Sequence, residues 1–186
     1  GYHAVDRFRA LKRGDLKALW IQTTNPWVTL PNRSRFDRTP NDGRFVVVSD
    51  IYPTPTTAMA DLILPAAGWV EREGVFGNTE RRTQQWNKMV EPPGEAREDA
   101  LAVIQVAKRM GMGHLFPWPD DNWHEPMFEE YREFGLGHGK DLAAYAQLKQ
   151  TRGMLWPVVN GKETPYRYTA GYDPYVKKVS GAHFYK

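Results

Sequence analysis

The chain contains no cysteine among its 186 residues. It therefore cannot itself hold an iron–sulfur cluster or a thiolate-bound molybdenum, nor form a disulfide. The redox compartment stays undecided on this ground. The five histidines are far apart, and none shows a metal spacing such as H-E-x-x-H. There is no phosphate-cradling P-loop, no G-x-G-x-x-G and no nucleophile elbow. The run Gly135 to Gly139 is glycine-rich, but no apolar strand precedes it, so a loop is expected. No apolar run approaches the roughly 20 residues that cross a bilayer, so no membrane insertion is expected. The opening GYHAVDRFRALKRGD lacks the charged, apolar and cleavable parts of a leader. The net charge is only +3, with bases scattered among acids. A solvated surface rather than a nucleic-acid face is expected, and only Arg33, Arg35 and Arg38 cluster.

What is present reads as an α/β protein. The length suffices for one domain with a core and some extra chain. Val5, Phe8 and Leu11 recur three apart, which predicts a short helix stopped by Gly14. Leu16 to Ile21 reads as a buried strand, broken before Pro26. Phe45 to Val48 is an unalternated apolar run rich in β-branched residues, the pattern of a parallel strand covered on both faces. Thr54 to Ala60 predicts a short helix, and Asp61 to Leu64 a third buried strand. Glu98 to Met110 is the clearest helix, with acids in or before its first turn, Lys108 and Arg109 in its last, and Gly111 as a stop. The spacing implies a doubly wound, mostly parallel, Rossmann-like sheet over residues 1–116. Residues 117–186 are rich in Pro, Gly, Trp and Tyr. They predict a long irregular extension with a helix at Asp141 to Thr151 and a hairpin at Asn160-Gly161. With little core of its own, it is expected to wrap the α/β domain or lead into another.

In an open parallel sheet, ligands gather at the carboxyl ends of the strands. Asn25 follows the first strand, Ser49-Asp50 the second, and the Trp69 to Asn78 segment the third. The Asp50 carboxylate accepts paired hydrogen bonds and so matches the adjacent N1–H and 2-amino donors of guanine. Ser49 adds a hydroxyl. The alternative is that Ser-Asp caps the next helix. Arg72 can fork onto phosphate, or pair with Glu71 or Glu73. Asp99 reads as a ligand carboxylate or as a first-turn acid favoured by the helix dipole. Asn25 before Pro26 reads as a contact or a turn former.

The stretch SDIYPTPTTAMADLILPAAGWVEREGVFGNTERR ends in E-G-x-x-x-N-x-E-R-R, Glu73 to Arg82. With LWIQTTNPWVTLPN, PPGEAREDALAVIQVAKR, Trp156 to Val159 and Asp173 to Lys177, it resembles the catalytic subunits of periplasmic nitrate reductases, within the molybdopterin-guanine-dinucleotide oxidoreductases. The similarity is strongest from residue 16 to 110. The resemblance implies that the chain is an internal segment of such a subunit. It implies that Asn25, Ser49, Asp50, Arg72 and Asp99 contact a molybdenum bis(molybdopterin guanine dinucleotide) cofactor. Arg72 stands where many relatives carry Lys, and Thr23-Thr24-Asn25-Pro26 where many carry a run of asparagines.

The same resemblance implies reduction of nitrate to nitrite by the parent enzyme. A 4Fe–4S cluster would be held by parts other than this chain, a small cytochrome would donate electrons, and the location would be periplasmic. Partners would be the rest of the catalytic subunit, with no nucleic acid. No residue here is expected to be catalytic or a metal ligand, and the chain alone is expected to be inactive. Two other readings stand beside this one. One is a segment of a formate dehydrogenase or assimilatory nitrate reductase. The other is a stand-alone, non-catalytic nucleotide-binding module.

Overall fold

A computed structural model describes residues 3–167. Asp173 to Lys177 therefore lies outside the described residues. The described chain divides into two compact units. Residues up to Glu71, together with Val90–Val103, form the first; Arg72–Met89, together with residues from Ile104 onward, form the second.

The first unit is built on a parallel sheet, as the apolar runs predict. Helix α1 (Ala4–Arg13) ends on Gly14, whose φ of 80° lets its N–H reach back to Ala10 and Leu11. Strands β1 (Ala18–Gln22), β2 (Phe45–Asp50) and β3 (Leu62–Pro65) lie in the order β1-β2-β3, all parallel. Ile21 pairs in register with Val48, and Val48 with Ile63. A short helix α2 (Pro26–Thr29) follows β1, and Thr57–Met59 forms a single 3-10 turn where a short helix is predicted. Two prolines nearby leave too few backbone donors for a longer helix there.

One face of this sheet is closed. Leu11, Ile21, Trp27, Val46 and Val48 form its core, with Phe8, Leu16 and Leu19 packed against it. The Trp27 ring meets Phe8 edge-on at 5.6 Å. Each such side chain contributes about 1.5–3 kcal/mol through burial. The strands are less enclosed than their sequence implies. Val46 and Val48 are fully buried, but Phe45, Leu62 and Ile63 are each close to half-exposed. Among the described residues β3 is an edge of the three-stranded sheet, met on its outer side only at its end, where Arg97 reaches Pro65 and Ala66.

The loop before β2 is held by a buried charge network. Arg38, expected in a basic surface cluster, is 7% exposed. Its guanidinium donates to Asp42 at 2.8 Å and Asp61 at 3.0 Å, and to the carbonyls of Arg44 and Met59. Asp61 also accepts the Val46 N–H at 2.6 Å, which ties the network to the central strand. The Arg38 hydrogen bond, with help from Arg44, holds the Asp42 carboxyl well below its usual range against the cost of burial. Burial works against the Asp61 carboxylate too, but the Asn41 and Val46 amides and Arg38 outweigh it and lower its pKa.

The second unit is organised around an antiparallel sheet. Strands β4 (Gly74–Gly77) and β5 (Arg82–Trp86) form a hairpin. Helix α3 (Asp99–Arg109) spans the division between the units and is shorter than predicted by one residue at each end. Helices α4 (His124–Glu133) and α5 (Tyr145–Gln150) follow, and then β6 (Met154–Leu155), which pairs with β5. Strands β7 (Val158–Val159) and β8 (Lys162–Glu163) make the predicted hairpin, with Asn160 and Gly161 both at positive φ as a type I′ turn requires. The later chain has more core than its composition suggests. Phe128, Ala143, Tyr145, Leu148 and Met154 are buried together, and Val75 of β4 packs against them.

Asp42 and Asp61 contribute their full stability above about pH 4, their ordinary unfolded value, and lose it as pH falls through the lower folded values. Asp61→Ala is expected to cost about 3 kcal/mol by leaving Arg38 buried with half its compensation. It should also flatten the loss of stability between about pH 4 and pH 2. Urea titrations of both proteins across that range test this, and an unchanged midpoint at neutral pH would count against the network's role.

Candidate functional site

The carboxyl ends of β1, β2 and β3 share one edge because all three strands run the same way. Beyond β3 the chain returns to that edge. Ala66 bridges Arg97 in parallel, the Ala67 N–H donates to the Arg97 carbonyl at 2.8 Å, and the Arg97 N–H donates to the Pro65 carbonyl at 3.1 Å. This pairing delivers the start of α3 to the strand ends. Gln22, the last residue of β1, donates its side-chain amide to the Asp99 carbonyl at 3.3 Å.

Four of the predicted contact residues therefore gather on one edge of the first unit. Ser49 is buried at 3% exposure, and its hydroxyl accepts the Trp20 indole N–H at 2.8 Å. The alternation of β2 puts Ser49 on the sheet face opposite Val46 and Val48. Asp50 follows at the strand end. Its Oδ1 accepts the Ile51 N–H at 2.7 Å and the Tyr52 N–H at 3.3 Å, an Asx turn that fixes the carboxylate. The local capping chemistry anticipated for Asp50 is thus present, as a turn rather than a helix cap. Ile51 and Tyr52 beside it are 52% and 70% exposed. Asn25 is held by its side-chain oxygen, which accepts the Thr56 hydroxyl; Thr56 in turn accepts the Trp27 N–H at 3.1 Å. Asp99 opens α3 beside them.

Arg72 belongs to the second unit, where its carbonyl accepts the Trp86 indole N–H at 3.1 Å. Two residues at the edge escape sequence reasoning. Gln22 positions the start of α3, and Thr56 orients Asn25. Gln22 stands at a strand end and was in principle legible; Thr56 was not, because 31 residues separate it from Asn25.

The E-G-x-x-x-N-x-E-R-R segment is tied into the second unit by hydrogen bonds. Asn78 Oδ1 accepts the N–H groups of Glu80 and Arg82 at 3.0 and 3.1 Å, closing the β4–β5 turn. Arg81 lies at φ 67° and donates to the carbonyls of Trp156, Thr164 and Pro165, the last at 2.9 Å. Arg82 pairs with Glu80 at 2.7 Å. Glu73 accepts the Tyr145 hydroxyl at 2.8 Å. Burial and this bond raise the Tyr145 pKa well above its ordinary value.

The model of the family Molybdopterin oxidoreductase matches residues 1–109. The chain belongs to the molybdopterin oxidoreductase family. A solved structure, acetylene hydratase from Pelobacter acetylenicus, is similar at 29% identity with a TM-score of 0.52. The match covers 61% of this chain but only 16% of that one, so this chain spans a small part of the relative's length. Family membership implies a molybdenum–pterin cofactor. The polar groups at the strand edge suit the polar end of such a group: a fixed carboxylate, a second acid and an amide. Among the described residues no group of three His, Asp or Glu could hold a metal ion.

Tyr145→Phe removes the hydroxyl from Glu73 and is expected to cost about 1 kcal/mol. The raised phenol favours the folded state below about pH 10, and that benefit fades as pH rises. The variant should therefore lose less stability than the parent between about pH 9 and pH 11. Equal alkaline slopes for both proteins would show that the Glu73 bond does not hold Tyr145.

Proposed function

We propose that this chain is the part of a molybdenum-dependent nitrate reductase that holds the guanine end of a molybdopterin guanine dinucleotide. The observation that carries the reading is Asp50. Its carboxylate stands at the end of the central strand, fixed by its own Asx turn, with Oδ1 turned to the backbone. That leaves Oδ2 for the N1–H and 2-amino donors of guanine. Ser49, Asn25 and the start of α3 at Asp99 flank it on the same edge.

These residues bind and orient; none of them moves a proton or an electron. When bound, the molybdenum group supplies the two-electron oxygen-atom chemistry. The parts that supply a 4Fe–4S cluster and a sulfur ligand to molybdenum belong to the rest of the catalytic subunit, since this chain has no cysteine. A small cytochrome would feed electrons, and the enzyme would be periplasmic. The motif residues Glu73 to Arg82 and the flanking PPGEAREDA favour nitrate reductase over formate dehydrogenase or an assimilatory enzyme through their resemblance.

Titration of the purified chain with GDP tests the site. Saturable binding is expected, and Asp50→Ala should weaken it at least about tenfold through the loss of charge-assisted hydrogen bonds. Binding untouched by the substitution would place guanine elsewhere. The chain alone, supplied with nitrate and reduced methyl viologen, is expected to yield no nitrite; measurable nitrite would overturn the assignment of a binding role only.

A further inference from the structure

The opposite end of the parallel sheet carries a second feature, and it does not depend on the reading above. Helix α1 turns into β1 through Gly14, so its last turn lies at the amino-terminal edge of the strands. The Arg44 guanidinium, just before β2, confirms the placement by donating to the carbonyls of Leu11 and Lys12 at 3.2 and 3.4 Å. Between α1 and the 31–36 loop lies a cavity of about 540 Å³. That size falls in the range of small-molecule sites, about 300–1,000 Å³.

The lining has an unusual chemistry. Arg9, Lys12 and Arg13 come from α1 and Arg35 from the loop, while Val5, Pro31 and Phe36 supply apolar wall; among the described residues no acid lines it. Basic residues in the last turn of a helix are ordinary, because they complement its dipole. Arg35 is not explained this way: it comes from a different segment, and its exposed side chain makes no hydrogen bond or ion pair among the described residues. Lys12 donates to the Arg35 backbone carbonyl, which fixes that loop against the helix. Arg9 and Arg13 pair with Asp6 at 2.8 Å and Asp15 at 2.7 Å, but all four side chains are more than 40% exposed. Exposed pairs of this kind are weak and exchange readily for a better anion.

We propose that this cavity binds a small organic diphosphate, with the phosphates on Arg35, Arg9 and Lys12 and an apolar or aromatic group against Val5, Pro31 and Phe36. Guanidinium groups fork onto phosphate oxygens, so two arginines from separate segments favour a phosphate over a lone carboxylate. The apolar wall gives the non-phosphate part a place to be buried. Since the cavity stands at the amino-terminal edge of the strands, its ligand is separate from one bound at their carboxyl ends.

ADP is a suitable probe, because adenine lacks the paired donors that Asp50 is proposed to read. Calorimetric titration of the 186-residue chain with ADP is expected to show saturable binding that weakens as salt rises. Arg35→Glu should weaken it at least about tenfold by replacing attraction with repulsion. Asp50→Ala should leave it unchanged. Pyrophosphate is expected to bind several-fold more weakly than ADP, and adenosine not at all. Absence of ADP binding to a chain with a cooperative melt would overturn the proposal. So would binding indifferent to both Arg35→Glu and Arg9→Glu. Loss of ADP binding in Asp50→Ala would move the ligand to the strand ends instead, and pyrophosphate binding as tight as ADP would remove the apolar wall from the site. Because GDP also carries a diphosphate, failure of the guanine reading appears separately in the Arg35→Glu background, as GDP binding there that survives Asp50→Ala.

Discussion

Everything at the candidate site depends on the parallel pairing of β2 with both of its neighbours. A parallel register aligns the strand ends, so three separate turns finish at one edge. The core sets that register: Val46 and Val48 are fully buried against Ile21, Leu11 and Trp27. A slip by one residue would turn Ser49 toward that core and Val48 toward Trp20, exchanging a buried apolar contact for a buried hydroxyl. The same alternation that buries the valines thus determines which face receives the Ser49 hydroxyl and leaves Asp50 at the tip.

The polar network at the other end of β2 serves the same strand by a different means. Asp61 accepts the Val46 N–H while pairing with Arg38, so one carboxylate joins strand, loop and buried cation. Burying a guanidinium is costly unless its donors are used. Here they reach two carboxylates and two carbonyls, which gives the long connection before β2 a single path. That path carries Arg35 and Phe36 to the side of α1. The basic cavity is therefore a by-product of how the central strand is anchored, at the edge away from Asp50.

The signature segment illustrates how a motif divides its work. Glu73, Asn78, Arg81 and Arg82 look from their charge like a surface hairpin, yet three of them reach across the second unit to residues 72 or more positions later or close their own turn. Arg81 holds carbonyls of the chain around β6 to β8, and Glu73 holds Tyr145. Such contacts are invisible to periodicity, because they join segments far apart in sequence.

Local patterning alone determined a good deal: the three strands and their α/β class, the Gly14 and Gly111 stops, the main helix and the Asn160-Gly161 turn. Each rests on short-range sterics or on the spacing of apolar residues. Proximity of Asn25, Ser49, Asp50 and Asp99 followed only on the assumption of a parallel sheet; their actual partners did not. Tertiary structure decided that Arg38 is buried rather than basic surface, that β3 is half-exposed, that Asp50 spends one oxygen on its own backbone, and that Arg35 joins the bases of α1. These outcomes turn on desolvation and on pairing across many residues, and a one-dimensional pattern carries neither: a charged side chain reads the same in sequence whether its partner is water or a buried carboxylate.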